Sequence, residues 1–150
     1  MSKGVNITFP ESELIKFKLW TKSLSEENQR QCQTLIRGAA FKIVSRAMMF
    51  APVDKGFLKG SIGTNANQGR LSAEVWAGGQ GKGINVRYAP YVEFGTGSMV
   101  RVASDVSDYA SEFKGKGLRK VNLHARPYFF PAVRLTSAEF MIKLKQMGFK

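Results

Sequence analysis

The chain has 150 residues and carries 23 Lys and Arg against 11 Asp and Glu, a formal net charge of +12. This length predicts one domain, residues 1–150, with a core that needs no disulfide, and a single cysteine, Cys32, excludes an internal disulfide and a cysteine-based metal site. Because no stretch approaches the roughly 18 apolar residues of a membrane span and the first residues lack a signal-peptide core, we expect a soluble protein, made in the cytoplasm, that attracts acidic partners.

The sequence pattern predicts two helices in the first part of the chain. Residues 10 to about 24 begin with Pro10, which suits a first helical turn, followed by acidic residues at the positive end of the helix dipole. Ser25 is a suitable N-cap for a second helix that runs to about Phe50 and stops before Pro52. Apolar residues recur every four positions in this helix and form a wide stripe: Leu35, Ala39, Ile43 and Ala47, with Ile36, Ala40, Val44 and Met48.

The sequence pattern predicts strands in the middle of the chain and a helix at its end. Residues 61–66 and 70–77 flank a plausible hairpin turn, and the second run alternates apolar with polar side chains. We expect the helical stripe to pack on this sheet. The glycine-rich residues 78–83 match no phosphate-binding motif. Residues 98–123 are polar and weakly patterned, which predicts a mobile loop, and residues 130 to about 147 predict a C-terminal helix.

Glu93 is the carboxylate that most needs an explanation, because it lies in an apolar stretch. A buried carboxylate is costly unless it is paired and hydrogen-bonded, and the guanidinium of Arg126 is its natural partner. We favour a structural ion pair that ties the central segment to the last helix. A pair across a subunit interface is an alternative, and a catalytic Glu would need a second positioned group. Asp54 fits a turn with Gly56 better than that second role.

Little else in the sequence suggests catalysis or a cofactor. His124 is the only histidine, so histidine-based metal sites and Ser-His-Asp arrangements have few residues to use. Cys32 lies on the helix stripe and fits a small apolar packing residue. The sequence thus offers little support for metal-dependent or nucleophilic chemistry.

Two groups of residues are candidates for contacts with partners. Aromatic residues outnumber what so small a core must hide, and aromatic side chains are enriched at interfaces; the interface candidates are Tyr88, Tyr91, Phe94 and Tyr128. A basic cluster lies between and around glycines in the predicted loop: Lys114, Lys116, Arg119 and Lys120. This cluster is a solvated loop, a contact with DNA phosphates, or a contact with an acidic patch on a partner.

Three segments together carry a family resemblance: Ala51-Pro-Val-Asp-Lys-Gly-Phe-Leu-Lys-Gly-Ser-Ile62, Tyr88-Ala-Pro-Tyr-Val-Glu-Phe-Gly-Thr96 and Ala125-Arg-Pro-Tyr-Phe-Phe-Pro-Ala132. In this order, behind a long amphipathic helix in a basic chain, they resemble the minor tail component family of neck and tail-completion proteins in long-tailed, lambdoid-type DNA bacteriophages. The chain departs from the family pattern at Lys55, where Thr is usual, and at Tyr128, where Phe is usual. Asp54, Gly56, Gly95, Thr96 and Pro127 occupy the turns of these motifs.

The resemblance implies an α+β fold in which a long helix packs on a small, mostly antiparallel sheet, with a C-terminal helix. It also implies a virion assembly protein that forms a ring at the head–tail junction and continues the DNA channel. Neither enzyme activity nor a cofactor is implied. Its partners would be other copies of itself, the connector or head-closure proteins, and the tail tube or tail terminator. A basic, sequence-independent nucleic-acid-binding protein is the alternative, although no recognisable nucleic-acid-binding motif is present; a small enzyme with its site around Glu93 is a weaker one.

Overall fold

The computed structural model describes residues 11–53, 56–67, 69–79, 86–97, 101–106 and 123–150. Helices and a short antiparallel sheet follow one another along the chain, so the α+β class is confirmed. The elements are α1 (Glu11–Ser23), α2 (Glu26–Phe50), α3 (Phe57–Gly60), β1 (Gly63–Asn65), β2 (Glu74–Trp76), α4 (Ala89–Phe94), a 3-10 turn (Ser104–Val106) and α5 (Phe129–Gln146).

Both predicted helices in the first part of the chain form, and their ends follow the predicted signals. Ser25 has extended backbone angles and its hydroxyl oxygen accepts a hydrogen bond from the backbone N–H of Asn28 at 3.4 Å, which caps α2. Because the residue before a proline avoids the helical region, α2 ends at Phe50, two residues before Pro52. Aromatic contacts then fasten α1 to the end of the chain: the rings of Trp20 and Phe149 have centroids 5.2 Å apart.

The long helix packs on the sheet as expected, and it also packs on the C-terminal helix. α2 contacts β1 and β2, but it packs mainly along α5. Two strands of three residues each cannot cover the apolar stripe of a 25-residue helix, so the C-terminal helix covers most of it. The two helices run antiparallel, because Arg46 donates hydrogen bonds to Thr136 and Glu139, while Lys42, one turn earlier, reaches the same Glu139.

One hydrophobic core joins the helices to the turns between them. Its buried members come from the end of α2 onwards and include Ala47, Leu58, Ile62, Val86, Ala89, Phe94, Val106, Tyr128, Phe129 and Ala132. The predicted hairpin is present but short, since β1 and β2 pair antiparallel with Thr64 opposite Val75. Val75 and Ala77, two of the alternating apolar residues in the second predicted strand, pack against the core.

The ion cluster between α2 and α5 predicts a specific response to acid. Hydrogen bonds from Arg46 and then from Lys42 lower the pKa of Glu139 from 4.5 to about 2. A carboxylate whose pKa is lower in the folded than in the unfolded state stabilises the fold at pH values above its unfolded-state pKa. This contribution is lost as the pH falls through its folded-state pKa. As the pH is lowered from about 4.5 to 2, the midpoint temperature of thermal unfolding should therefore fall more steeply for the parent protein than for Glu139→Gln. Parallel curves for the two proteins would contradict the ion cluster.

Gly78 marks the closest approach of the chain after β2 to helix α4. Its φ is +92°, and a Cβ atom there would lie 2.8 Å from the Cβ of Ala89 and 3.2 Å from the carbonyl oxygen of Val86. Its backbone N–H also donates to the hydroxyl of Ser61 at 3.1 Å. Only a residue without a side chain fits both this backbone angle and this contact.

We expect Gly78→Ala to lower the free energy of unfolding by about 2–4 kcal/mol, because left-handed strain adds to the clash. Gly69→Ala is the matched control. Gly69 also has a positive φ of +82°, but a Cβ there meets nothing within 4 Å, so its cost should be that of the backbone alone, about 1–2 kcal/mol. Denaturant unfolding compares the two variants. Equal losses would mean that α4 does not approach Gly78.

Candidate functional site

The structure brings the second and third motif segments together at the start of α5. Helix α4 carries the second motif and ends where Gly95 takes a φ of 77°. The third motif leads directly into α5, whose N-cap residue, Tyr128, makes no side-chain capping hydrogen bond. The first backbone N–H groups of a helix have no partner within the helix, so α5 requires a cap from elsewhere in the chain.

Glu93 provides that cap. One carboxylate oxygen accepts hydrogen bonds from the backbone N–H groups of Tyr128 at 2.7 Å and Phe129 at 2.9 Å, and the other accepts from Phe130 at 3.1 Å. The residue is only 4% exposed. A carboxylate at the positive end of a helix dipole forms charge-assisted hydrogen bonds. Glu93 therefore holds the beginning of α5 from a position 35 residues earlier in the chain. We call this contact the Glu93 cap.

The predicted partner of Glu93 is thereby corrected. The ion pairs of the described residues do not include Glu93 or Arg126, and Arg126 is exposed. It contributes through its backbone, whose N–H donates to the carbonyl oxygen of Val92 at 2.8 Å. Three consecutive N–H groups at a helix start converge on one anion, which makes the guanidinium unnecessary.

Thr96 ties the same two segments together one step further along. Its backbone N–H donates to the carbonyl oxygen of Leu123 at 3.0 Å, and its hydroxyl accepts from the N–H of Leu123 at 2.9 Å. With the contact between Val92 and Arg126, this fixes the two ends of the segment that separates the motifs. We call the Glu93 cap together with these two contacts the motif latch.

Part of the segment predicted as a mobile loop is packed on the core. Residues 101–106 include the 3-10 turn, and Val106 is buried at 6% exposure. Asp105 accepts two hydrogen bonds from Arg134 of α5, at 2.9 and 2.7 Å, which lower the pKa of the Asp105 carboxyl. The basic cluster of the predicted loop lies outside the described residues: Lys114, Lys116, Arg119 and Lys120.

The four interface candidates divide into two pairs. Tyr88 and Tyr91 are 45% and 39% exposed, so their rings are accessible beside the motif latch. Phe94 and Tyr128 are only 5% and 1% exposed and belong to the core, which corrects the prediction for these two residues. Burial, with a further contribution from the charge of Glu93, raises the pKa of the Tyr128 hydroxyl. The aromatic residues of the motifs therefore fall into two groups, one that packs in the core and one that is exposed at the surface.

The residues of the first motif that the structure describes also make contacts within the fold. Gly56 has a φ of 78° and is the N-cap residue of α3, while Asp54 lies outside the described residues. The hydroxyl of Ser61 is buried, donates to the carbonyl oxygen of Leu58 at 2.7 Å and accepts from the N–H of Gly78. Sequence reasoning missed this bridge, as it missed the role of Glu139. That glutamate is one of only two acidic residues after position 110, a scarcity that could have drawn attention to it.

The remaining candidates for chemistry are dispersed. His124 is exposed, and Cys32 is buried in α2, where desolvation raises the pKa of its thiol. Among the residues that the structure describes, no group of three or more His, Cys, Asp or Glu side chains could hold a metal ion. Within the same ranges, none of the helices has the length and apolar character to cross a membrane.

Comparison with known proteins agrees with the motif reading. The model of the HK97-gp10-like family, described as "Bacteriophage HK97-gp10, putative tail-component", matches residues 16–95, just over half of the chain. The match extends from α1 through α4 and so contains the first motif and nearly all of the second, including Glu93. No curated protein and no solved structure shows a significant match. The chain belongs to the HK97-gp10-like family of bacteriophage tail components, and its place is in the virion.

Proposed function

We propose that this protein is a non-enzymatic assembly component at the phage head–tail junction. It forms a ring that joins the connector complex to the tail tube and continues the channel for DNA. The observation that supports this most is the motif latch. The motif residues that define the resemblance fix the backbone around α4 and α5, and they leave Tyr88 and Tyr91 exposed beside it.

A rigid support of this kind suits a ring-building contact. A ring needs a head-to-tail contact in which one patch meets a different patch of the neighbour. Exposed aromatics held on a fixed backbone lose little conformational freedom on binding, which is why tyrosines are effective interface anchors. The Glu93 cap holds α4, which carries Tyr91, against the start of α5. Further partners in this proposal are the head-closure proteins and the tail tube or tail terminator.

A sequence-independent contact with DNA is the second candidate. Several lysines on the described surface take part in none of the ion pairs described above, so their charges are available to phosphates: Lys16, Lys18 and Lys22 on α1, and Lys143 and Lys145 on α5. Binding of this kind weakens steeply with salt because counterions are released. It is compatible with a ring whose channel carries DNA, and a protein of this charge would bind DNA without any ring as well.

Complementation in phage assembly tests the proposal. Cells infected with phage that lacks this protein should accumulate filled heads and separate tails, or tails with defective ends, while phage DNA replication continues. Supplying the protein from a plasmid should restore joined particles. Electron microscopy counts the joined particles and quantitative hybridisation follows replication. If heads and tails join normally and replication or transcription fails instead, the nucleic-acid reading replaces the assembly reading.

A further inference from the structure

Two arginines hold the end of helix α4 through their backbones, while their side chains are exposed. The last carbonyl groups of a helix have no partner within the helix. At the end of α4, the N–H of Arg126 donates to the carbonyl oxygen of Val92 at 2.8 Å, and the N–H of Arg101 donates to that of Phe94 at 2.9 Å. Any residue except proline supplies such an N–H group, so the fold uses only the backbone at these two positions. We call Arg101 and Arg126 the arginine pair.

The guanidinium groups of the arginine pair have no counter-charge among the residues that the structure describes. The ion pairs of these residues use other cations. The two described carboxylates nearest in sequence are both engaged, because Glu93 accepts the N–H groups at the start of α5 and Asp105 is bound by Arg134. Two positive charges at one end of α4 are therefore left for an anion from outside the described chain.

A second copy of this chain offers few anions for these charges. The described acidic residues outside the ion pairs and the Glu93 cap lie in the first turn of α1, in the first turn of α2 and in β2: Glu11, Glu13, Glu26, Glu27 and Glu74. Those in the two helices stabilise the positive ends of the helix dipoles. A second copy also brings a net charge of +12, so its approach adds repulsion. The anion therefore belongs to a different molecule.

We propose that the arginine pair binds phosphate groups of the DNA in the channel of the ring. A guanidinium presents a planar set of donors that matches a phosphate, and contacts with phosphates carry no sequence information. Lysines on α1 and α5 that are in none of the ion pairs attract the same long polyanion, whereas an acidic patch on a protein neutralises only the cations that it covers. The inference rests on the proposed function and places the end of α4 on the channel wall, beside the subunit contact of Tyr88 and Tyr91.

The salt dependence of DNA binding by the isolated protein tests this assignment. Each phosphate contact contributes about 0.9 to the magnitude of the slope of log K against log salt concentration. Arg101→Gln combined with Arg126→Gln should therefore reduce that magnitude by about 1.8, so that from about 50 to 200 mM salt the affinity of the parent falls about 12-fold further than that of the variant. Fluorescence anisotropy of a labelled DNA duplex measures both proteins.

Arg30→Gln combined with Arg37→Gln is the matched control. Both residues are exposed arginines in the first half of α2. The antiparallel arrangement of α2 and α5 places them away from the start of α5, where α4 is held by the Glu93 cap. The control removes the same charge and should leave the slope unchanged. Arg101→Lys combined with Arg126→Lys keeps the charge and should retain the slope of the parent.

Four results would overturn the assignment. An unchanged slope in the glutamine variant would show that the arginine pair contacts no phosphate, and an equal reduction in the control would mean that only the net charge matters. A lysine variant whose slope is as small as that of the glutamine variant would show that the charge at these positions does not bind DNA. No measurable binding at about 50 mM salt, where electrostatic binding is strong, would overturn it as well.

Photo-crosslinking extends the test to the assembled protein. Benzoylphenylalanine replaces Ala103, an exposed residue two positions from Arg101, in the protein supplied to phage that lacks its own copy. The control carries it at Phe41, which is 50% exposed on α2. After irradiation of joined particles, position 103 should give a nuclease-sensitive adduct with DNA, and position 41 should give none. An adduct with another virion protein would assign the arginine pair to an acidic protein instead, and no adduct would show that this surface lies away from DNA.

Complementation separates this inference from the proposed function. If heads and tails join without the protein while the glutamine variant still reduces the slope, the phosphate contact is retained and the role at the junction is lost. If joining fails without the protein while the slope is unchanged in that variant, the role is retained and the phosphate contact is lost.

Discussion

Replacing Glu93 with alanine should cost most or all of the stability of this protein. The substitution leaves the N–H groups of Tyr128, Phe129 and Phe130 without the carboxylate that accepts them in a buried site. Each buried donor left unsatisfied costs about 1–3 kcal/mol. A total on the order of 5 kcal/mol approaches the whole stability of a domain of this size, about 5–15 kcal/mol. We therefore expect Glu93→Ala to be unfolded or aggregated at 37 °C.

Glu93→Gln should give an intermediate result that is easier to measure. The amide retains one carbonyl oxygen as an acceptor, but its NH2 group faces N–H donors and cannot accept from them. Denaturant unfolding should show a loss smaller than that of Glu93→Ala, and hydrogen exchange should be faster at the first amides of α5 than in the middle of α2. Glu13→Ala, at an exposed acidic residue of α1, serves as the control.

One result for Glu93→Ala would contradict the Glu93 cap. If Glu93→Ala unfolds with a free energy within about 1 kcal/mol of the parent protein, the size of an ordinary surface substitution, then the start of α5 does not depend on this carboxylate. The motif latch would then be unnecessary for folding, and the glutamate of the second motif would need a role in contacts between subunits.

Tyr128→Ala should destabilise the protein by about 3–5 kcal/mol, the range measured for large aromatic residues truncated in a core. Tyr128 is 1% exposed and is among the largest fully buried side chains of the described chain. Tyr91→Ala is the matched control, because the same side chain is removed from a position that is 39% exposed. Its stability should change by no more than about 0.5 kcal/mol.

The two tyrosine variants should also differ in assembly. Because Tyr91 is expected to anchor a neighbouring subunit, Tyr91→Ala should yield a stable protein that restores few joined particles in complementation. Tyr128→Ala should lose both stability and assembly, and its assembly defect should be relieved at lower temperature. A Tyr91→Ala protein that is fully active in assembly would remove this residue from the interface. A Tyr128→Ala protein as stable as the parent would contradict the placement of Tyr128 in the core.

Local sequence signals determined where the elements of this chain begin and end. Ser25 and Pro52 bound α2 as predicted, the hairpin forms at β1 and β2, and α5 begins within one residue of the predicted start. These signals act within a few residues, through capping, backbone restriction and side-chain periodicity, and can be read without knowing the fold. The order of the three motifs was likewise enough to identify the phage family that the family match confirms.

Only the tertiary structure decided what the motif residues contact. The apolar surroundings of Glu93 correctly indicated burial. A sequence shows which charged side chains could pair with it, but it does not show that the backbone N–H groups of a distant helix start lie within hydrogen-bonding distance. In the same way, Tyr91 and Tyr128 are equivalent in sequence character and opposite in exposure. Burial and pairing depend on which surfaces of α4 and α5 meet, and that is set by packing between residues far apart in the chain.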